Sequence, residues 1–168
     1  GSGGAARAVM KYLADKEAAR IYLVTRDVSS VDEHFLEIAP SCKVIDYAEL
    51  ESIKGDVIIN CTPVGMYPNN GISPVELEKF EKCAYVLDLI YNPSQTKLLE
   101  DAERLGKKHT NGLYMLVAQA KKAAEIFMGE EIENSRIEKI CRAIEFKTKN
   151  MRRRVASSLR FPSLIYAQ

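Results

Sequence analysis

The chain has 168 residues, 46% hydrophobic and 28% charged, with a formal net charge of +1. That is long enough for one α/β domain with a packed core, and the composition is that of an ordinary globular protein. The near-zero charge provides no global field for nucleic acid or an anionic membrane, no apolar run approaches the ~20 residues of a membrane-spanning helix, and the opening residues Gly-Ser-Gly-Gly carry no secretory pattern.

Short apolar runs alternate with amphipathic stretches and nothing repeats, which predicts parallel strands joined by crossover helices. A helix is expected over residues 4–14, with Ala5, Ala8, Val9, Tyr12 and Leu13 on its apolar side. A strand follows over 20–25, a short helix over 31–38, a strand over 42–46 and a helical turn over 47–53. The runs 56–61 (DVIINC) and 84–90 (AYVLDLI) read as strong strands with helices on both faces. Residues 94–105 read as a helix that Gly106 ends. A short strand over 107–110 and helices over 112–128 and 134–146 complete the pattern. Pro63, Pro68, Pro74 and Pro93 fall between elements, where a missing amide does least harm. From Lys147 the chain turns basic (Lys147, Lys149, Arg152, Arg153, Arg154) and then apolar over 163–167, so it divides into a domain over 1–146 and a basic tail over 147–168. The tail reads as a solvated helix end rather than a nucleic-acid contact.

Cys42, Cys61, Cys83 and Cys141 include no Cys-x-x-Cys pair, which argues for reduced, buried thiols and against structural zinc. His34 and His109 have no ligand partner at helical spacing, so no metal site is expected, and His109 reads as a packing residue.

The segment Gly1-Ser2-Gly3-Gly4-Ala5-Ala6 fits Gly-x-Gly-x-x-Ala ahead of a helix. Glycine there permits a tight turn and a close backbone approach to a pyrophosphate, which the helix amides and dipole then hold. The strand over 20–25 ends in Thr25-Arg26-Asp27, where an acidic residue favours NAD by accepting from ribose hydroxyls and an arginine favours NADP by pairing with the 2′-phosphate. Arg26 lies nearer the strand end, which tips the reading toward NADP with NAD possible.

Three more segments follow in order: Asn60-Cys61-Thr62-Pro63-Val64-Gly65-Met66; Asp88-Leu89-Ile90-Tyr91-Asn92-Pro93 with Thr96; and Asn111-Gly112-Leu113-Tyr114-Met115-Leu116-Val117-Ala118-Gln119-Ala120. With the glycine turn they resemble the shikimate dehydrogenases, over residues 1 to about 143. The resemblance implies a Rossmann-like, doubly wound parallel sheet that here lacks its first strand, since the glycine turn should follow one. It implies a cytoplasmic oxidoreductase of aromatic amino-acid and chorismate biosynthesis, a monomer or homodimer when complete, that reduces 3-dehydroshikimate to shikimate with NADPH. Gly1, Gly3, Gly4 and Ala5 would lie at the pyrophosphate, and Thr25 and Arg26 at the 2′-phosphate. Thr62, Val64 and Met66 would line the cofactor, Gly112 and Met115 its nicotinamide end, and Tyr91 and Gln119 would reach the substrate.

Thr25 departs from the family's usual asparagine and Asp27 from its threonine, which leaves open a quinate/shikimate enzyme that also takes NAD. The family's lysine–aspartate pair for proton transfer belongs to a substrate domain ahead of the glycine turn, so no catalytic acid or base is assigned here, Lys97 and Asp88 included. Without that domain the chain is expected to be inactive. Without the first strand it is expected to be unstable alone, or to aggregate through two open strand edges. A non-catalytic nucleotide-binding remnant is the reading from another class.

Overall fold

A computed structural model describes residues 1–158. The apolar patch at 163–167 and the side chains of Lys149 and of 152–154 lie outside the described residues. The chain forms two compact units, Gly1–Leu113 and Tyr114–Gln168.

The first unit alternates helix and strand: α1 (Gly4–Asp15), β1 (Ile21–Val24), α2 (Glu33–Ile38), β2 (Cys42–Ile45), α3 (Tyr47–Leu50), β3 (Val57–Asn60), β4 (Tyr85–Asp88), α4 (Lys97–Arg104) and β5 (Lys108–Thr110). All pairings are parallel. β1 pairs with β2, while β4 lies between β3 and β5. The sheet is thus divided in two, and the break lies between β1 and β3, as expected for a doubly wound sheet without its first strand. At their C-terminal ends the two strands meet on the glycine turn. The Gly1 nitrogen donates to the Val24 carbonyl at 3.1 Å, and a Cβ on Gly1 would lie 2.8 Å from the Cys61 carbonyl oxygen.

Each sheet has its own core. Ala6, Met10, Ile21, Leu23, Phe35 and Ala39 join α1, β1 and α2. Leu77, Phe80, Cys83, Val86, Leu98, Leu99 and Ala102 join β4, α4 and the long β3–β4 connection. Leu77, fully buried, anchors that connection through a single 3-10 turn over Leu77–Lys79.

Four side-chain expectations are corrected. The buried side of α1 is Ala6, Met10, Leu13 and Ala14, spaced one and two turns apart, while Ala5, Ala8 and Tyr12 are exposed. An alanine-rich helix is apolar over most of its circumference, so periodicity alone fixed its packing stripe poorly. His109 does not pack: among the described residues β5 pairs only with β4, and all three of its residues are exposed. Val57 at the start of β3 is 48% exposed because, among the described residues, β3 pairs on one side only. Of the four cysteines, all unpaired, only Cys83 is fully buried.

In the second unit, α5 (Leu113–Met128) is followed by α6 (Ser135–Ser158), which continues well past the expected end at 146. Lysine and arginine are good helix formers, so the loss of apolar residues did not end it. Glu125 ties the end of α5 to the connection after it, accepting from Lys121 at 2.8 Å, Lys122 at 3.2 Å and the Ile132 amide at 3.0 Å. These donors, Lys121 foremost, hold its carboxyl at about 2. A depressed carboxyl contributes stability that is present above its ordinary value of 4.5 and lost as pH falls through about 2. Carboxyl NMR should therefore give Glu125 a midpoint well below that of the other glutamates, and a midpoint near 4.5 would show the three contacts absent in solution.

Among the described residues no helix is long and apolar enough to cross a membrane, and no group of three metal-ligating side chains gathers.

Candidate functional site

The site is built on the C-terminal ends of β1, β3 and β4. At its centre α1 is preceded by Gly3, which is extended, offers no side-chain cap and is followed by no acidic residue in the first turn. The first amides of this 12-residue helix therefore keep their hydrogen-bonding capacity and the positive end of the dipole is not neutralised. A Cβ on Gly3 or Gly4 would meet nothing within 4 Å, so the space before these amides is open. Gly1 is different: its contact with Cys61 excludes any side chain. The turn thus combines one glycine needed for packing with two that leave room for an anion.

Beyond β1, Thr25 is buried and its amide donates to Ile45 O at 3.0 Å. Arg26 is exposed and has no hydrogen bond or ion pair among the described residues. The neighbouring Asp27 caps a short 3-10 turn over Val28–Ser30. Its Oδ1 accepts from the Ser29 hydroxyl at 2.6 Å and from the Ser29 amide at 2.9 Å. These two donors, the hydroxyl first, hold the carboxyl below its ordinary range.

Beyond β3 and β4 lies a buried polar network that joins residues of two separate sequence segments. Asn60 and Asp88 are register partners at the ends of adjacent strands. Asn60 Nδ2 donates to Asp88 Oδ1 at 3.0 Å and to Val64 O at 3.3 Å. Its Oδ1 accepts from the Thr62 amide at 2.9 Å and the Thr62 hydroxyl at 2.7 Å. Asp88 accepts further from the Ile90 amide at 3.0 Å and, through Oδ2, from the Thr96 hydroxyl at 2.6 Å. Thr96 in turn caps α4 by accepting from the Leu99 amide. Burial outweighs the three donors and pushes the Asp88 carboxyl up. The network ties the segments holding Thr62, Val64 and Met66 to the one holding Tyr91, and a Tyr67 N–H to Asn92 O bond of 3.2 Å joins them again. The sequence signal was available: two polar residues closing two apolar runs.

Gly65 turns with φ +93°, and a Cβ there would lie 2.9 Å from Ile72 O. Met66 and Tyr91 are 45% and 49% exposed, so both side chains are open to a ligand. Gly112 is buried; it donates to Ile90 O at 3.1 Å and its Cα faces the Leu89 carbonyl at a separation no side chain can enter. Of the expected site residues, the structure sets Gly1 against Thr62 and, through Asn60, Asp88 and the Tyr67–Asn92 bond, joins the segment of Thr62, Val64 and Met66 to that of Tyr91. Met115 and Gln119 lie on α5, one turn apart on one helix face and both exposed.

Asp88 and Lys97 take structural positions, Lys97 pairing with Asp101 at 2.6 Å. A cleft of about 400 Å³ lined by Glu81, Tyr85, Lys107 and Lys108 opens at the opposite end of the β3-β4-β5 sheet. Lys107 there caps the carbonyls of Phe80 at 2.9 Å and Cys83 at 2.8 Å, so it fastens the chain rather than facing a ligand.

No family model matches the chain. The shikimate dehydrogenase (NADP(+)) of Clostridium perfringens strain SM101 is 42% identical over 141 residues, which are 83% of this chain and 51% of the relative. A chorismate mutase/shikimate 5-dehydrogenase fusion protein from Clostridium acetobutylicum superposes with a TM-score of 0.79 at 50% identity, covering 89% of this chain and 53% of that one. The shikimate 5-dehydrogenase of Thermus thermophilus, solved with NADP(H) and shikimate, gives 0.70 at 28% identity, covering 85% and 52%. The chain spans about half the length of the curated relatives it matches. With 42% identity to the Clostridium perfringens enzyme over 83% of its own residues and the fold of these structures, the chain belongs to the shikimate dehydrogenase family.

Proposed function

We propose that this chain supplies the NADP-binding part of a shikimate dehydrogenase, which reduces 3-dehydroshikimate to shikimate. The uncapped α1 N-terminus, with open space before Gly3 and Gly4 at the break between the two sheets, is the observation that carries the reading. It fits a dinucleotide pyrophosphate, because amide donors and a dipole end converge where no side chain intrudes. Gly1, Gly3, Gly4 and Ala5 form this cradle. Thr25 and Arg26 hold the adenosine 2′-phosphate, with the exposed guanidinium free to form a two-point contact. Thr62, Val64 and Met66 line the cofactor, fixed in place by Asn60, and Gly112 and Met115 lie at its nicotinamide end. Tyr91 and Gln119 meet the substrate. When bound, the reduced cofactor supplies the hydride. The proton is handled by a lysine and an aspartate of a substrate domain, the partner this domain requires; the chain's own residues bind and orient. The dinucleotide-binding domain covers 1–146, and the basic residues from 147 onward, which carry α6 on to Ser158, form its tail. The enzyme acts in the cytoplasm, as a monomer or homodimer.

The test is calorimetric titration of the full-length protein with NADP⁺ and NAD⁺, paired with an assay of NADPH consumption on 3-dehydroshikimate. Heat with NADP⁺ and turnover are expected; no heat with either nucleotide would overturn the reading. Arg26→Ala should weaken NADP⁺ binding about 10- to 100-fold, the loss of a charge-assisted pair of about 1.5–3 kcal/mol, and leave NAD⁺ binding nearly unchanged. Equal weakening of both nucleotides would remove Arg26 from the 2′-phosphate.

A further inference from the structure

We propose that Ser29 is a specificity-determining residue: by occupying the carboxylate of Asp27 it withdraws an acceptor that would otherwise serve the ribose hydroxyls of NAD, and leaves Arg26 to the 2′-phosphate of NADP. The inference rests on the cofactor reading above and deepens it.

An acidic residue just past this strand normally selects NAD, because its two oxygens accept from the two adenosine ribose hydroxyls and its charge repels a 2′-phosphate. Asp27 has the charge and the place in sequence for that role, directly beside Arg26. Its geometry works against it. Both bonds from Ser29, hydroxyl at 2.6 Å and amide at 2.9 Å, converge on the same oxygen, Oδ1. Two-point recognition of a diol needs both oxygens, and one is already doubly engaged. The two donors also place positive hydrogen ends against the charge, which lessens its repulsion of a phosphate nearby. The turn is itself fixed: the Ser30 hydroxyl donates to Asp27 O at 2.8 Å and the Asp27 amide to Thr25 Oγ1 at 3.4 Å. Arg26, meanwhile, has no partner among the described residues, so the arrangement opposes a free cation to a tethered anion.

Of the two bonds, only the hydroxyl's can be removed by a side-chain change, and Ser29→Ala does so while keeping the amide bond. In the full-length enzyme, Kd for NADP⁺ and for NAD⁺ and kcat/KM with each are to be measured. The NADP-over-NAD preference should fall about five- to tenfold, chiefly by a gain with NAD, the scale of one ordinary net hydrogen bond. Ser29→Thr, which keeps the hydroxyl, should retain the parent ratio. In an Asp27→Asn background Ser29→Ala should leave the ratio unmoved, because an amide lacks the charge being masked. A loss shared equally by both nucleotides, or a shift that persists in the Asp27→Asn background, would mean that Ser29 only shapes the loop and would overturn the proposal. If the parent enzyme binds neither nucleotide, the functional reading fails and takes this inference with it. A parent that prefers NADP, with an unmoved ratio in Ser29→Ala, sinks this inference alone.

Discussion

Asp88→Ala is expected to lower the stability of the protein carrying this domain by about 3–5 kcal/mol, read as a shifted urea midpoint. The reason is arithmetic on donors. Asp88 is 1% exposed and its carboxylate accepts from Asn60 Nδ2, the Ile90 amide and the Thr96 hydroxyl. An alanine leaves all three facing an apolar gap. Each buried donor without an acceptor costs about 1–3 kcal/mol, and only Thr96 can rotate toward another partner. Against a domain stability of about 5–15 kcal/mol, this is a large share.

Asp88→Asn separates the charge from the hydrogen bonds. Its oxygen can keep the Asn60 and Ile90 bonds, while its amide group must face the Thr96 hydroxyl, which then loses its acceptor. About 1–2 kcal/mol is expected, less than for alanine. The pH dependence has a definite sign. Burial raises the Asp88 carboxyl above its ordinary value, so the folded state binds the proton more tightly than the unfolded state. Stability therefore falls as pH rises from the ordinary value through the raised one. Asp88→Asn removes that fall, and its penalty should be smaller at neutral pH than in acid. A variant as stable as the parent, within about 1 kcal/mol for alanine, would refute the network as a stabilising element.

The same residues mark the limit of what sequence could yield. Helix and strand positions were legible because apolar runs of four to six residues alternate with longer amphipathic ones, and the glycine turn told where the sheet would be interrupted. Asn60, Asp88 and Thr96 were visible as letters of a motif. Their union was not, because it depends on β3 and β4 being parallel neighbours with Asn60 opposite Asp88, a matter of register. Ser29 escaped for a related reason: an Asp-x-Ser step does not announce which oxygen the serine will engage. The packing stripe of α1 was misread because alanine signals no preferred side. The 3-10 turn at Leu77 was missed because one buried leucine in a polar stretch has no period.

Gly112→Ala should be nearly as damaging as Asp88→Ala, for a steric reason. A Cβ at 112 would lie 2.0 Å from the Leu89 carbonyl oxygen and 2.5 Å from its carbon, so the two backbones must part by about an ångström. Leu89 leaves the end of β4 and its amide donates to Asn60 O at 3.1 Å, so it cannot move without disturbing the β3–β4 pair. The Gly112 N–H to Ile90 O bond of 3.1 Å would go with the displacement. Overpacking against fixed atoms costs about 1–3 kcal/mol and the bond about 1 more, giving about 2–4 kcal/mol. Gly3→Ala is the contrast. Nothing lies within 4 Å of its added methyl, so folding should tolerate it, and its effect should be weaker nucleotide binding where the methyl enters the space before the helix. Gly112→Ala should lower the urea midpoint, whereas Gly3→Ala should raise the Kd for NADP⁺ with an unchanged midpoint. If Gly112→Ala folded with parent stability and lost only nucleotide binding, the close approach to Leu89 would not be what holds a glycine there. Two glycines that look alike as motif letters are thus assigned opposite work, one by the atoms it touches and the other by the room it leaves.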